Sequence, residues 1–177
     1  YYMSTYTGQL HSEYCTDSAC SSSTTVDITN ADMKGKFSTI AIGSDGNPLF
    51  GFVDSRFGRD EDDIRVMIAV CADPACSSRT VNTIETTSPT TQIAIAIDDG
   101  VPLLAYKADG KLKIAQCLDS RCSEVFVNSI SDVWTDPGGA WPRGVSMVIG
   151  NDGRPVVAFS DSVNLYSRLN VAVVNWH

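Results

Sequence analysis

Short runs of alternating apolar and polar residues recur along the whole chain and are separated by turn residues. The four apolar alternations between Phe37 and Thr87 are the most complete set, and they predict four short strands. No stretch has the spacing of apolar residues that is typical of a helix. The pattern therefore predicts an all-β fold.

The same order of strands and turns occurs about three and a half times. In the last three copies an Asp-Gly turn leads to a proline, and Pro48, Pro102 and Pro155 are 54 and 53 residues apart, a period typical of four-stranded propeller blades. The approximate repeats are 1–36, 37–90, 91–142 and 143–177, of which the first lacks its opening strand and the last its fourth.

A sheet of four strands cannot bury both faces alone. We therefore expect a β-propeller-like array of about three and a half four-stranded antiparallel blades, forming one domain or part of a larger propeller. A β-sandwich of the same strands is the alternative.

Two core predictions follow from the first strand of each repeat. Isoleucine and alanine alternate over 93–97, so both faces of this strand are apolar and we expect it to be buried on both sides. Ile42, Ile95 and Val148 each lie three or four residues before the Asp of an Asp-Gly turn, so we expect them to occupy equivalent buried positions.

The cysteines occur as three pairs with the identical spacing Cys-x-Asp-x-x-Cys. The pairs are Cys15 with Cys20, Cys71 with Cys76, and Cys117 with Cys122. Because an Asp favours a turn, the spacing favours three local disulfides and a location outside the cytosol. Zinc binding is the alternative, but each pair lies alone in its repeat and only His11 and His177 could complete four ligands.

The composition indicates a globular protein, with 43% hydrophobic and 19% charged residues. A net charge of -8 disfavours nucleic acid or an anionic membrane as the main partner. No apolar run has the length of a transmembrane helix. The chain opens at Tyr1 and not at Met, so we expect a processed product whose signal peptide, if it has one, precedes this sequence.

The run Asp45-Gly46-Asn47-Pro48, followed by an aromatic residue, Asp54 and the cysteine window 71–76, resembles a repeat of large secreted bacterial proteins that are regarded as β-propellers. The resemblance covers nearly the whole chain. The departures include Ala108 at the position of Asp54 and the missing cysteines of the last copy. The resemblance implies an extracellular repeat scaffold.

Two segments carry candidate binding residues. The acidic run with Asp60, Asp62 and Asp63 could gather a calcium ion, and a solvated hairpin tip is the alternative; no other cofactor is expected. The linker from 132 to 143 carries Trp134 and Trp141 among glycines and prolines. With Tyr106 they are candidates for stacking on a sugar ring, and a packed loop is the alternative.

The residues favour a non-catalytic protein over an enzyme. A hydrolytic triad needs a base, and the two histidines lie near opposite ends of the chain, His11 at a predicted solvent-facing strand position. Asp54 and Asp161 recur at equivalent positions and could form the carboxylate pair of a glycosidase, although a structural role explains them more simply.

We therefore expect an extracellular, non-catalytic scaffold or assembly module, with a carbohydrate-binding or other ligand-binding propeller as the alternative. The terminal copies are incomplete, and an open array would expose strand edges and apolar faces. Further blades, from a longer chain or from a homo-oligomer, are the expected partners.

Overall fold

The computed structural model describes residues 9–30, 35–55, 64–87, 92–133, 144–163 and 166–175. Within these ranges the chain forms thirteen β-strands. The same ranges contain no helix with the length and apolar character needed to cross a membrane. The predicted all-β fold is confirmed.

The strands form four antiparallel sheets, each ordered as in the sequence. Sheet 1 contains β1 (His11–Cys15) and β2 (Ser23–Asp27). Sheet 2 contains β3 (Gly35–Ile42), β4 (Pro48–Ser55), β5 (Ile64–Cys71) and β6 (Arg79–Thr87). Sheet 3 contains β7 (Ile93–Asp98), β8 (Val101–Ala108), β9 (Lys111–Cys117) and β10 (Val125–Asp132). Sheet 4 contains β11 (Val145–Ile149), β12 (Pro155–Val163) and β13 (Tyr166–Val173).

Consecutive sheets stack face to face over three hydrophobic cores. The core between sheets 1 and 2 includes Ile28 and Phe52, and the core between sheets 2 and 3 includes Ile68 and Leu104. The core between sheets 3 and 4 includes Val157. The first strands β3, β7 and β11 are spatial neighbours, with β7 between the other two. The four sheets therefore have a propeller-like arrangement. The prediction that β7 is buried on both sides holds for its first three residues, 93–95, and the rest of the strand is half-buried.

Side chains link each sheet to the backbone of its neighbour. Arg79 Nε of sheet 2 donates to the carbonyl of Ile28 at 3.1 Å. Asn82 Nδ2 donates to the carbonyl of Arg121 in sheet 3 at 2.9 Å, and Lys107 Nζ donates to the carbonyl of Ser160 in sheet 4 at 3.1 Å. These directional bonds fix how the sheets are placed, which the apolar contacts alone do not do.

The Asp-Gly sequences form turns of two lengths. Asp99 and Gly100 have φ angles of 46° and 82° and form a two-residue hairpin turn between paired neighbours. The turn at Gly46 is longer, because the amide of Gly43 donates to the carbonyl of Asn47 at 2.8 Å and Gly46 alone has a positive φ. Residues at the same distance before the Asp of the turn therefore occupy different positions in different sheets.

The prediction that Ile42, Ile95 and Val148 are equivalent and buried is wrong. The register pairs Ile42 with Pro48, whereas it pairs Ile95 with Leu104. Ile95 is 8% exposed, but Ile42 and Val148 are 58% and 60% exposed. The difference in turn length explains the error in register.

Candidate functional site

The three predicted disulfides are present, each closing its own Cys-x-Asp-x-x-Cys turn. In the second turn, the Asp73 carboxylate accepts hydrogen bonds from Ser77 Oγ at 2.7 Å and from the amides of Ser77 and Ser78 at 3.1 and 2.9 Å. The second cysteine has a positive φ, 57° at Cys76. The hydrogen bonds to the carboxylate therefore stabilise a turn in which the second cysteine has an unfavourable backbone conformation.

The serine after the second cysteine completes the motif, and the sequence predictions missed it. Ser21, Ser77 and Ser123 each donate a side-chain hydroxyl to the Asp of their turn. The repeated Cys-Ser pair was visible in the sequence and could have identified them. The hydroxyl, with the turn amides, lowers the pKa of Asp17, Asp73 and Asp119 below the ordinary value of 3.8.

A polar network crosses the contact between sheets 2 and 3. Tyr106 Oη donates to Glu85 Oε2 at 2.7 Å, and Lys113 Nζ donates to Glu85 Oε1 at 2.8 Å. Lys113 also donates to Asp109 Oδ2 at 2.5 Å, and this oxygen accepts the Thr87 hydroxyl at 2.9 Å. Burial tends to lower the pKa of Lys113, but the bonds to Asp109 and Glu85 outweigh it and raise the pKa. The network joins β6 to sheet 3.

Tyr106 does not offer a stacking surface, which corrects its prediction as a ligand-binding residue. Its side chain is 0% exposed. Burial, and then the hydrogen bond to Glu85, raise the pKa of its phenol, so it stays a neutral donor. Strand alternation could not reveal this, because both faces of sheet 3 are covered.

The repeated aspartates lie opposite arginines. Asp54 in β4 is 0% exposed and forms an ion pair with Arg65 in β5. Asp161 lies opposite Arg168 in the register of sheet 4. The nearby Asp161 carboxylate tends to raise the pKa of Lys107, but burial has the larger effect and lowers it. These contacts favour structural roles for both aspartates.

Several predicted site residues lie outside the described residues. They are Trp134, Trp141, Asp60, Asp62 and Asp63. Among the residues that the structure does describe, no group of three or more His, Cys, Asp or Glu side chains could hold a metal ion. His11 lies in β1 with 43% of its side chain exposed, paired with Asp27 at 2.6 Å.

A cleft of about 520 Å³ lies between the turns of sheets 2 and 3. Its lining includes the apolar side chains of Leu49, Val70 and Ile97. Two charged residues, the exposed Asp45 and Arg121, also line it. The volume and the mixture of groups suit a small polar ligand.

The outward side of sheet 4 is an exposed apolar surface, which we call the terminal face. It consists of Val148, Val156, Ala158, Leu169, Val171 and Val173, flanked by Ser146 and Ser160. Leu169, Val171 and Val173 are 77%, 64% and 52% exposed. The other side of the sheet packs on sheet 3 through Met147, Val157, Phe159 and Val174.

The positions of the terminal face are buried in the preceding sheets. Val171 lies opposite Ala158 in sheet 4, as Ile114 lies opposite Ala105 in sheet 3. Ile114 is 0% exposed because sheet 4 covers it, and the equivalent Ile68 is 0% exposed beneath sheet 3. The terminal face therefore corresponds to the face of sheets 2 and 3 that the next sheet covers.

Comparisons with known proteins show the fold and not a family. No protein-family model matches the chain, and no curated protein is similar to it in sequence. A crystal structure of endo-1,4-beta-xylanase from Bacteroides thetaiotaomicron is similar with a TM-score of 0.52 and 15% identity, over 99% of this chain and 74% of that one. A protein of unknown function from Dyadobacter fermentans is similar with a TM-score of 0.53 and 12% identity. That match covers 82% of this chain and 52% of the other.

Proposed function

We propose that this chain is an extracellular, non-catalytic assembly module that docks a further β-sheet on its terminal face. The observation that carries the proposal is the burial of the equivalent positions, such as Ile68 and Ile114, beneath the next sheet. An apolar surface of this kind on a folded protein indicates a contact site. The three disulfides support an extracellular location.

Adding a sheet to the chain tests this proposal. The variant carries a second copy of residues 72–133 fused after Val174. The added β6 would form the fourth strand of sheet 4, and the added β7 to β10 would form a further sheet like sheet 3. Cys76 of the added copy is changed to Ser because its partner Cys71 is not included. We expect a higher Tm, and hydrogen exchange in β13 should slow because the added sheet covers it. The control is the same fusion with Asp in place of the added copy's Ile95. The proposal fails if the fusion changes neither quantity.

A second candidate function is the binding of a small polar ligand, including a carbohydrate, and the cleft between sheets 2 and 3 is the observation that favours it. Arg121 lines the cleft and can donate hydrogen bonds to an acidic or hydroxylated ligand. A glycan array probed with the chain and with Arg121→Ala tests the cleft, and Trp141→Ala tests the linker separately. Binding that Arg121→Ala abolishes supports the cleft, and a blank array argues against carbohydrate binding.

A further inference from the structure

The two ends of the stack carry different surfaces. The outward side of sheet 1 is polar: His11 Nδ1 lies 2.6 Å from Asp27 Oδ1, and Ser23 Oγ donates to Glu13 Oε1 at 2.5 Å. The terminal face at the other end carries no charged side chain among its described residues. A polar outer surface is typical of the capping unit of a repeat array, whereas an apolar one is typical of an internal unit.

This difference decides how two copies of the chain can associate. Head-to-tail stacking would press the terminal face of one copy on His11, Glu13 and Asp27 of the other, and their desolvation would cost free energy. Among the described residues, two terminal faces bring together valine, alanine, leucine and serine side chains and no charged one. A two-fold contact needs a surface that matches itself, and an uncharged apolar sheet face meets this condition although the chain has a net charge of -8.

We propose that the terminal face of this chain binds the same face of a second copy, giving a two-fold dimer in which the two sheets 4 pack face to face. This inference rests on the proposed function, because it names the partner of that face. Because each copy contributes a face of three strands, we expect a small interface, near the lower limit of about 1,000 Å² for a specific contact. The dimer should therefore dissociate on dilution.

Sedimentation velocity over a range of concentrations tests the inference on the oxidised, full-length chain. We expect a species of twice 19.0 kDa that dissociates on dilution. Val171→Asp should weaken dimerisation at least tenfold, because it places a charge at the centre of the contact. Thr25→Asp, on the outward side of sheet 1 opposite Glu13, is the matched control and should dimerise like the unchanged chain. Unchanged near-ultraviolet circular dichroism confirms that both variants are folded.

Three results would overturn the inference. One is a monomer at every concentration, and another is a dimer that Val171→Asp leaves intact. The third is a dimer that Thr25→Asp disrupts, which would indicate head-to-tail stacking. If the chain is monomeric but the fused sheet raises the Tm, the second copy is not the partner while the assembly function stands. If the fused sheet also has no effect, the assembly function fails as well.

Discussion

Ile40 and Ile95 occupy the same position in their sheets, and yet only Ile95 is buried. Each lies in the first strand opposite the residue two places after the turn proline, Phe50 or Leu104. Ile40 is 48% exposed and Ile95 is 8% exposed. The reason is the neighbouring sheet. Sheet 2 packs on Ile95, whereas on the side of the described part of sheet 1, Leu10 and Ile28, which lie beside its two strands, cover Phe52 and leave Ile40 exposed.

The same register leaves Ile42 exposed and Ile95 buried, which predicts a large difference between truncations at these two positions. Ile95→Ala removes buried methyl groups from the core between sheets 2 and 3, and should reduce the free energy of unfolding by about 2 to 5 kcal/mol. Ile42→Ala, at a side chain that is 58% exposed, should cost less than about 0.5 kcal/mol. Urea denaturation of both variants measures the difference, and equal losses would contradict the register.

The strands were predictable because their signals are local. Alternation and Asp-Gly turns lie within a few residues of each other, so four strands between Phe37 and Thr87 could be read directly. Burial was less predictable, because it depends on which sheet covers a face. Ile40 and Ile95 have similar local sequences, and among the described residues they differ in how much of the preceding sheet covers them.

The hydrogen bond between Tyr106 and Glu85 should contribute measurably to stability. Tyr106→Phe leaves the packing of the ring in place but removes the donor to a partly buried carboxylate, and we expect a loss of about 1 to 2 kcal/mol. Tyr14→Phe, at a ring that is 41% exposed, is the control and should have little effect. Equal unfolding free energies for the two variants, measured in urea, would mean that the bond contributes nothing.

The polar network could not have been predicted from the sequence. Glu85 and Lys113 are 28 residues apart and come from different sheets, so their contact depends on how sheets 2 and 3 stack. By contrast, the carboxylate of Asp73 reaches Ser77 within its own turn. The local disulfide turns were therefore predicted correctly, while Tyr106 was assigned to ligand binding.

The disulfides should differ in their contribution to stability. Replacing Cys15 and Cys20 by Ala removes an exposed clamp, and should cost roughly 2 kcal/mol through the entropy of the unfolded chain. Replacing Cys71 and Cys76 should cost more, because these sulfurs also pack in the core between sheets 1 and 2. Urea denaturation compares the two double variants. A larger loss for the exposed pair would contradict this account, as would any peptide linking two different windows in a non-reducing map.

Acid should destabilise the protein through the aspartates of the disulfide turns. The pKa of Asp119 is lowered in the folded state, first by the Ser123 hydroxyl, and it is 3.8 in the absence of such bonds. A lowered folded pKa means that the carboxylate stabilises the fold fully above pH 3.8, and that this stability is lost as the pH falls through the folded pKa. Asp119→Asn should therefore lower the Tm at pH 7, and its effect should shrink as the pH falls through the folded pKa, because the natural side chain then loses its charge too. Glu124→Gln removes an exposed carboxylate beside the same turn and is the matched control. Thermal unfolding from pH 7 to pH 2 measures both variants. An Asp119→Asn deficit that does not shrink in acid would show that the charge of this carboxylate does not stabilise the turn.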